Sequence, residues 1–238
     1  MSTVTESGSG AEAPNETGGR PRSLSGEAPR GGLVGVLARV TFLRLARMYL
    51  ISRRVPAAVG VLIGLAGVLQ LSLAENWIHG TSPAAQQLPL GLETAAAAIV
   101  AATTVNPFGD SERTAVRWLP WLRPTVALAL TLAAAGLFAA GAISRSVPGG
   151  EVAAARNICG IAGIGLLCAP FVGGNLAWVG PLAYFPLAEY ALTVNWSTPW
   201  TWPARPPHDI GAALCAGLVF VIGAVAISVR GVRDRVAE

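Results

Sequence analysis

The chain has 238 residues, 53% of them hydrophobic and only 13% charged, and with a positive mean hydropathy this excludes a soluble globule and indicates a polytopic membrane protein. The formal net charge of +4 rests on arginine, because the sequence contains no lysine. Those arginines flank apolar runs instead of forming a patch of their own, which argues against a nucleic-acid surface.

Met1 to Gly32 is rich in Ser, Gly, Pro, Glu and Thr and lacks an apolar core, so residues 1–32 read as a disordered tail with no secretory signal. In Leu33–Arg54, Val34, Ala38, Phe42, Leu45 and Tyr49 share one helical face, while Arg44, Arg47 and Arg54 lie away from it. Residues 33–54 therefore predict an amphipathic helix lying in the headgroup plane, or a cytoplasmic extension of the first spanning helix. Six runs then approach the roughly 20 residues that a hydrocarbon core requires. They are Val55–Leu73, Leu88–Val105, Pro124–Ile143, Val152–Val172, Leu176–Leu192 and Asp209–Val229. The fifth is short and carries Gly180, Pro181 and Pro186, so a kinked or partly unwound helix is expected there. The fold class is thus all-α, a bundle of about six transmembrane helices over 55–229 behind an amphipathic interfacial helix, with a C-terminal tail at 230–238.

With the N-terminus inside the cell, 14 of the 17 arginines fall in cytoplasmic segments, which favours both termini inside. The same orientation puts Trp77, Trp196, Trp200 and Trp202 near the outer interface and Trp118 and Trp121 near the inner one. Gly60 with Gly64, Gly136 with Ala140, and Gly160 with Gly163 permit close helix approach, either within the bundle or across a dimer seam.

Three ionisable residues fall inside spans, where a charge costs about 2.5–3.5 kcal/mol on insertion scales. They are Glu93, Arg156 and Glu189, all at similar depth, and Arg156 is expected to pair with Glu93 or Glu189 while Asn157 and Tyr190 supply hydrogen bonds. The set reads equally as a clamp within the bundle, as side chains reaching for the headgroups, or as a substrate site. Between the fifth and sixth runs, NWSTPWTWPARPPHDI (Asn195–Ile210, within an outer irregular segment at 193–208) is too rich in proline for a long helix and too aromatic for a wet loop. It reads as a segment that dips into the outer face or caps the bundle, with His208 and Asp209 an ordinary loop pair. Cys159, Cys168 and Cys215 sit in apolar runs, so neither a disulfide framework nor a metal site is expected.

The remaining interruption is Asn106–Pro124, NPFGDSERTAVRWLPWLRP, a charged and aromatic cytoplasmic loop (106–123) expected to contain a short helix. Without lysine there is no GxxxxGK phosphate loop, so ATP hydrolysis would require another polypeptide. HExxH and GxSxG are also absent and no catalytic residues converge, so the chain reads as a non-enzyme that binds no cofactor of its own.

This order of parts resembles the permease subunit of ABC transporters of the type-two, exporter-like class, particularly short permease-like proteins of actinobacteria. NPFGDSER and ARNICG (Ala155–Gly160) look like pieces seen in those proteins, and the likeness covers about residues 33 to 235. The resemblance implies a bacterial plasma-membrane protein whose partners are an ATP-binding cassette subunit, the lipid bilayer, and a second copy or a second permease. It further implies that the 106–123 loop is a coupling helix, with Phe108 in an apolar socket of the ATPase and Gly109, Asp110, Glu112 and Arg113 around it. A non-transporting membrane scaffold or immunity-type protein is the alternative expectation.

Overall fold

The computed structural model describes residues 44, 47, 48, 50, 51, 54–75, 83–104, 119–144, 150–196 and 198–230. The expected tail 1–32, most of the 33–54 helix, residues 106–118 of the charged loop with Phe108, Gly109, Asp110, Glu112 and Arg113, and residues 231–238 lie outside these. Arg44, Arg47, Met48, Leu50 and Ile51 are helical, with Met48 and Ile51 exposed.

Six further α-helices follow: α1 (Val55–Ala74), α2 (Pro83–Ala102), α3 (Leu119–Ser144), α4 (Gly150–Val172), α5 (Val179–Val194) and α6 (Ile210–Arg230), with 3-10 turns at Gly174–Leu176 and Trp202–Ala204. No strand occurs among the described residues. Helices α1, α4, α6 and the Pro124–Ile143 part of α3 are long and apolar enough to cross a membrane, and Gln87–Ala102 of α2 is a shorter apolar stretch. The chain is an all-α helical bundle of the membrane type.

The local reasons are legible residue by residue. Arg54 turns the chain into α1 from a left-handed backbone conformation, and proline in the first turn of that helix sits where no amide donor is required. Ser72, Thr94, Thr131 and Ser228 return their hydroxyls to the carbonyls four residues earlier at 2.7–2.8 Å, which lets a polar side chain sit in an apolar helix without an orphaned donor.

Helix α4 is the axis of the bundle. Its most extensive packing is against α6, then α3 and α2, and it contributes Ala154 and Ile158, Ile161 and Ala162, and Leu166 and Ala169 to three successive hydrophobic clusters. The seam with α6 is backbone against backbone. A Cβ placed on Gly163 would stand 2.6 Å from the Phe220 Cα and N, and one on Gly223 would stand 2.6 Å from the Gly163 carbonyl oxygen. Only glycine permits that approach. By contrast the outward faces of α1 and α6 expose Val61, Ile63, Leu71, Leu214, Leu218 and Val225, as a lipid-facing surface requires.

The structure departs from the sequence reading at the starts of two helices. Helix α2 begins at Pro83, before the apolar run that opens at Leu88, and α3 begins at Leu119, so the last part of the expected loop is its first turn. The fifth run opens on the 3-10 turn Gly174–Leu176 and a turn at 177–178, and α5 then runs from Val179 through Pro186 as one helix. Pro181 falls in its first turn, where the missing N–H costs nothing, and Pro186 deletes a single rung, the one to Leu182. At 16 residues α5 is about 24 Å long, short of a typical hydrocarbon core of about 30 Å.

Candidate functional site

The segment from Asn195 to Asp209 folds into a cap over one end of the bundle. Asn195 ends α5 in a left-handed conformation. Thr201, fully buried, then knots the chain by bonding the carbonyls of Trp196 at 3.0 Å and Thr198 at 2.8 Å. The turn Trp202–Ala204 drops the Trp202 ring, 2% exposed, onto α4. There it stacks on Tyr184 with ring centroids 4.9 Å apart, and it covers Gly160, whose added Cβ would meet the indole at 2.6 Å. The Tyr184 hydroxyl donates to the Trp200 carbonyl at 2.9 Å, tying α5 to the cap. The described residues of this segment therefore pack on the bundle as a cap.

Asp209 closes the cap and starts α6. Its Oδ1 accepts the Ala212 N–H at 2.8 Å and its other oxygen pairs with Arg205, an N-cap with an added ion pair. The Ala212 N–H first, and then the Arg205 guanidinium, hold the Asp209 carboxyl below the usual carboxylate range. His208, its neighbour, is exposed.

Beneath the cap lies the polar centre. Arg156 and Asn157 are adjacent on the first turns of α4, each 7% exposed, and they point to different partners. Arg156 donates from Nη1 to the Pro206 carbonyl at 2.8 Å and from Nη2 to the Arg205 carbonyl at 3.1 Å, so it holds the cap to α4. Asn157 donates from Nδ2 to Oε2 of Glu93 at 2.9 Å, joining α4 to α2. Glu93 is 4% exposed. A buried hydrogen bond of this kind contributes about 0.5–1.5 kcal/mol net.

Glu93, Asn157 and Arg205 line a cavity of about 260 Å³, with Pro89, Leu90 and Leu192 as apolar surface. Buried without a hydrogen-bond partner around this centre are Asn157 Oδ1, Arg156 Nε and the Trp202 indole nitrogen. Chemically the cavity offers the Glu93 carboxyl group and a guanidinium at Arg205. No cluster of three His, Cys, Asp or Glu able to hold a metal ion occurs among the described residues.

Of the intramembrane set drawn from the sequence, the structure brings together Glu93 and Asn157 and places Arg156 beside them. It does not give Arg156 a carboxylate partner within ion-pair distance among the described residues. The expected pair is replaced by two backbone carbonyls, since a prolyl-rich cap leaves carbonyls without helical partners and a guanidinium satisfies two at once. Glu189 is half-buried and Tyr190 is 59% exposed, and neither joins the Glu93–Asn157 contact. The sequence reading missed Tyr184, Thr201 and Arg205, and it gave Trp202 an interfacial place where the fold buries its ring against Tyr184. The signal for Asp209 was present, as an Asp directly before an apolar helical run is an N-cap pattern; the others are recognised only once the cap has folded.

No protein family, no curated protein and no solved structure matches this chain.

Proposed function

We propose that this chain is the membrane-embedded permease subunit of an ABC-type transporter, an exporter of the type-two class, with ATP hydrolysis on a separate subunit. The observation that carries the reading is the order of elements: two helices, an intervening charged segment, three helices, a folded aromatic cap and a last helix. The rule that arginine concentrates on the cytoplasmic side supports a plasma-membrane orientation with both termini and the 106–123 loop inside. In that orientation the cap and the Glu93 cavity face outward.

The mechanism is indirect. Two such permeases, as a homodimer or with a second permease, alternate a central cleft as two ATPase subunits close on ATP and reopen after hydrolysis. Phe108 fills an apolar socket on the ATPase, Gly109 allows close backbone approach, and Asp110, Glu112 and Arg113 add charge-assisted contacts around it. The absence of lysine, and so of a Walker lysine, supports an ATPase on a different chain.

Affinity purification from mild detergent tests this directly: an ATP-binding cassette subunit should accompany the chain. Phe108→Ala and Glu112→Ala should abolish its recovery while the permease still inserts. Recovery of a different membrane complex with no ATPase would instead support a non-transporting scaffold or immunity-type partner.

A further inference from the structure

The cavity under the cap has two unlike walls. Helices α2, α4 and α5 supply Leu90, Glu93, Asn157 and Leu192 on one side, and five consecutive cap residues, 203–207, supply the other. Both ends of that stretch are fixed. Trp202 is buried against Tyr184 and Gly160, and Asp209 caps α6. Between them Pro203, Pro206 and Pro207 have fixed φ and no amide donor, so the stretch is stiff and makes few backbone bonds of its own. Its middle is tied to α4 by Arg156, through the Arg205 and Pro206 carbonyls.

That tie sets a charged donor on neutral acceptors. The carboxyl groups of Asp209 and Glu93 lie within electrostatic reach of the same guanidinium, as do Tyr184 and Arg205. Asp209 is engaged by Arg205 and the Ala212 N–H. Glu93, 4% exposed, is bonded by Asn157 Nδ2, a neutral donor. Burial favours the neutral form of Glu93, which leaves Arg156 on the carbonyls. Once ionised, Glu93 is the stronger acceptor, because a carboxylate in low dielectric attracts a guanidinium more than backbone carbonyls that water can solvate instead. The other elements around Glu93 bring no competing charge. Residues 55–74 of α1, 124–144 of α3 and the Gly174–Leu176 turn contain no titratable side chain. On α4, Glu151 is exposed and Cys159 and Cys168 are half-buried thiols. On α5, the Tyr184 hydroxyl donates to the Trp200 carbonyl, and Glu189 is half-buried away from the Glu93–Asn157 contact.

We propose that residues 203–207 form a lid on the Glu93 cavity, latched by Arg156 and released when ionised Glu93 draws the guanidinium off the Arg205 and Pro206 carbonyls. The lid is closed with Glu93 neutral and open with Glu93 charged, so access to the cavity rises with pH. Trp202 and Asp209 stay in place as the fixed ends between which the stretch lifts. The device goes beyond the transport reading and needs no ATPase.

The test is the rate at which N-ethylmaleimide, in detergent, modifies Leu90→Cys in a chain whose Cys159, Cys168 and Cys215 are replaced by alanine. Leu90 lines the cavity and is 3% exposed. Thr193→Cys, exposed on α5, is the reference that removes the pH dependence of the thiol itself. Relative to it, Leu90→Cys should react about tenfold faster or more at about pH 9 than at about pH 5, as the lid population shifts by that factor. Adding Glu93→Gln should keep the rate low at both values, and adding Arg156→Met should keep it high at both. His208→Asn should leave the rise in place, which separates it from histidine titration in the same window. Tryptophan emission should stay constant throughout, because Trp202 remains seated. A rate that ignores pH, a rise that persists in Glu93→Gln or vanishes in His208→Asn, protection in a folded Arg156→Met, or a red-shifted emission that tracks the labelling would each overturn the lid. Ala153→Cys, on the α4 wall of the cavity, gives the same reading if Leu90→Cys is unstable, and the pH curve with Glu93→Gln decides the matter even if Arg156→Met does not fold.

Discussion

Helices α4 and α1 carry the same kind of sequence and occupy opposite situations. Both are apolar and glycine-bearing, yet 67% of the α4 apolar stretch is buried within the chain against 28% of α1. The α4 glycines are filled from outside: Trp202 lies on Gly160, and the Phe220 backbone lies on Gly163. On α1, nothing stands within 4 Å of where a Cβ on Gly60, Gly64 or Gly67 would project. Small-residue spacing therefore marks a helix able to approach another, and the polar residues decide which helix goes to the centre. Helix α4 holds Arg156 and Asn157, which bond the cap and Glu93; α1 brings no charged side chain to the bundle centre, and its amide Gln70 lies against Gly141 of α3.

Four substitutions break or sharpen this contrast. The largest effect belongs to Gly163→Leu, which forces α4 and α6 apart along their backbone contact. Its cost is about 3 kcal/mol or more, at the upper end for overpacking, read as loss of folded protein in a detergent unfolding titration. Next is Gly160→Ala, whose methyl displaces the Trp202 indole. A loss of about 1–3 kcal/mol is expected, with a shift in tryptophan emission because the ring leaves its buried site. Asp209→Ala removes the α6 N-cap and an ion-pair partner of Arg205 together, and should lower stability by less than Gly160→Ala.

The same residue sets a pH dependence. Its carboxyl is lowered from an ordinary value of 3.8, so its contribution is complete above that value and is lost as the pH falls below it through the folded-state pKa. Acid loosening of the cap, followed by tryptophan fluorescence, should thus begin only below about pH 4 in the native chain and lose that component in Asp209→Ala. The smallest effect is Gly60→Leu, which should lie within about 0.5 kcal/mol, as no atom of the described residues stands within 4 Å of its Cβ position. Altered oligomer size in that variant would show that the α1 stripe seats another helix.

Most of the fold was legible because unbroken apolar runs have few other solutions in a membrane. The runs at 55–73, 124–143, 152–172 and 209–229 lie within a few residues of α1, α3, α4 and α6. The starts of α2 and α3 were not legible, since the Gln-bearing PAAQQLP and the LPWLRP turns are too polar or too proline-rich to read as spanning. Glu93, Arg156 and Asn157 stood out because polarity inside such a run is expensive. What the sequence concealed was the acceptor for Arg156. Carbonyl oxygens carry no residue signature, so a cation satisfied by backbone looks in sequence like a cation in search of a carboxylate. Glu189 drew notice for the same reason, but near the end of α5 a glutamate reaches the surface without a partner. The cap was legible in composition, and its geometry was not, as Thr201 and Trp202 acquire their roles only from contacts across the chain.

The central claim is that α4 is the polar axis of the bundle, joined to α2 through Asn157 and Glu93. A double-mutant cycle measures this most directly: the unfolding free energies of Glu93→Ala, Asn157→Ala and the double variant, in detergent. The account predicts a coupling of about 1 kcal/mol or more, at the upper range for polar contacts between membrane helices. Additivity to within about 0.3 kcal/mol, the behaviour of separate sites, would contradict it.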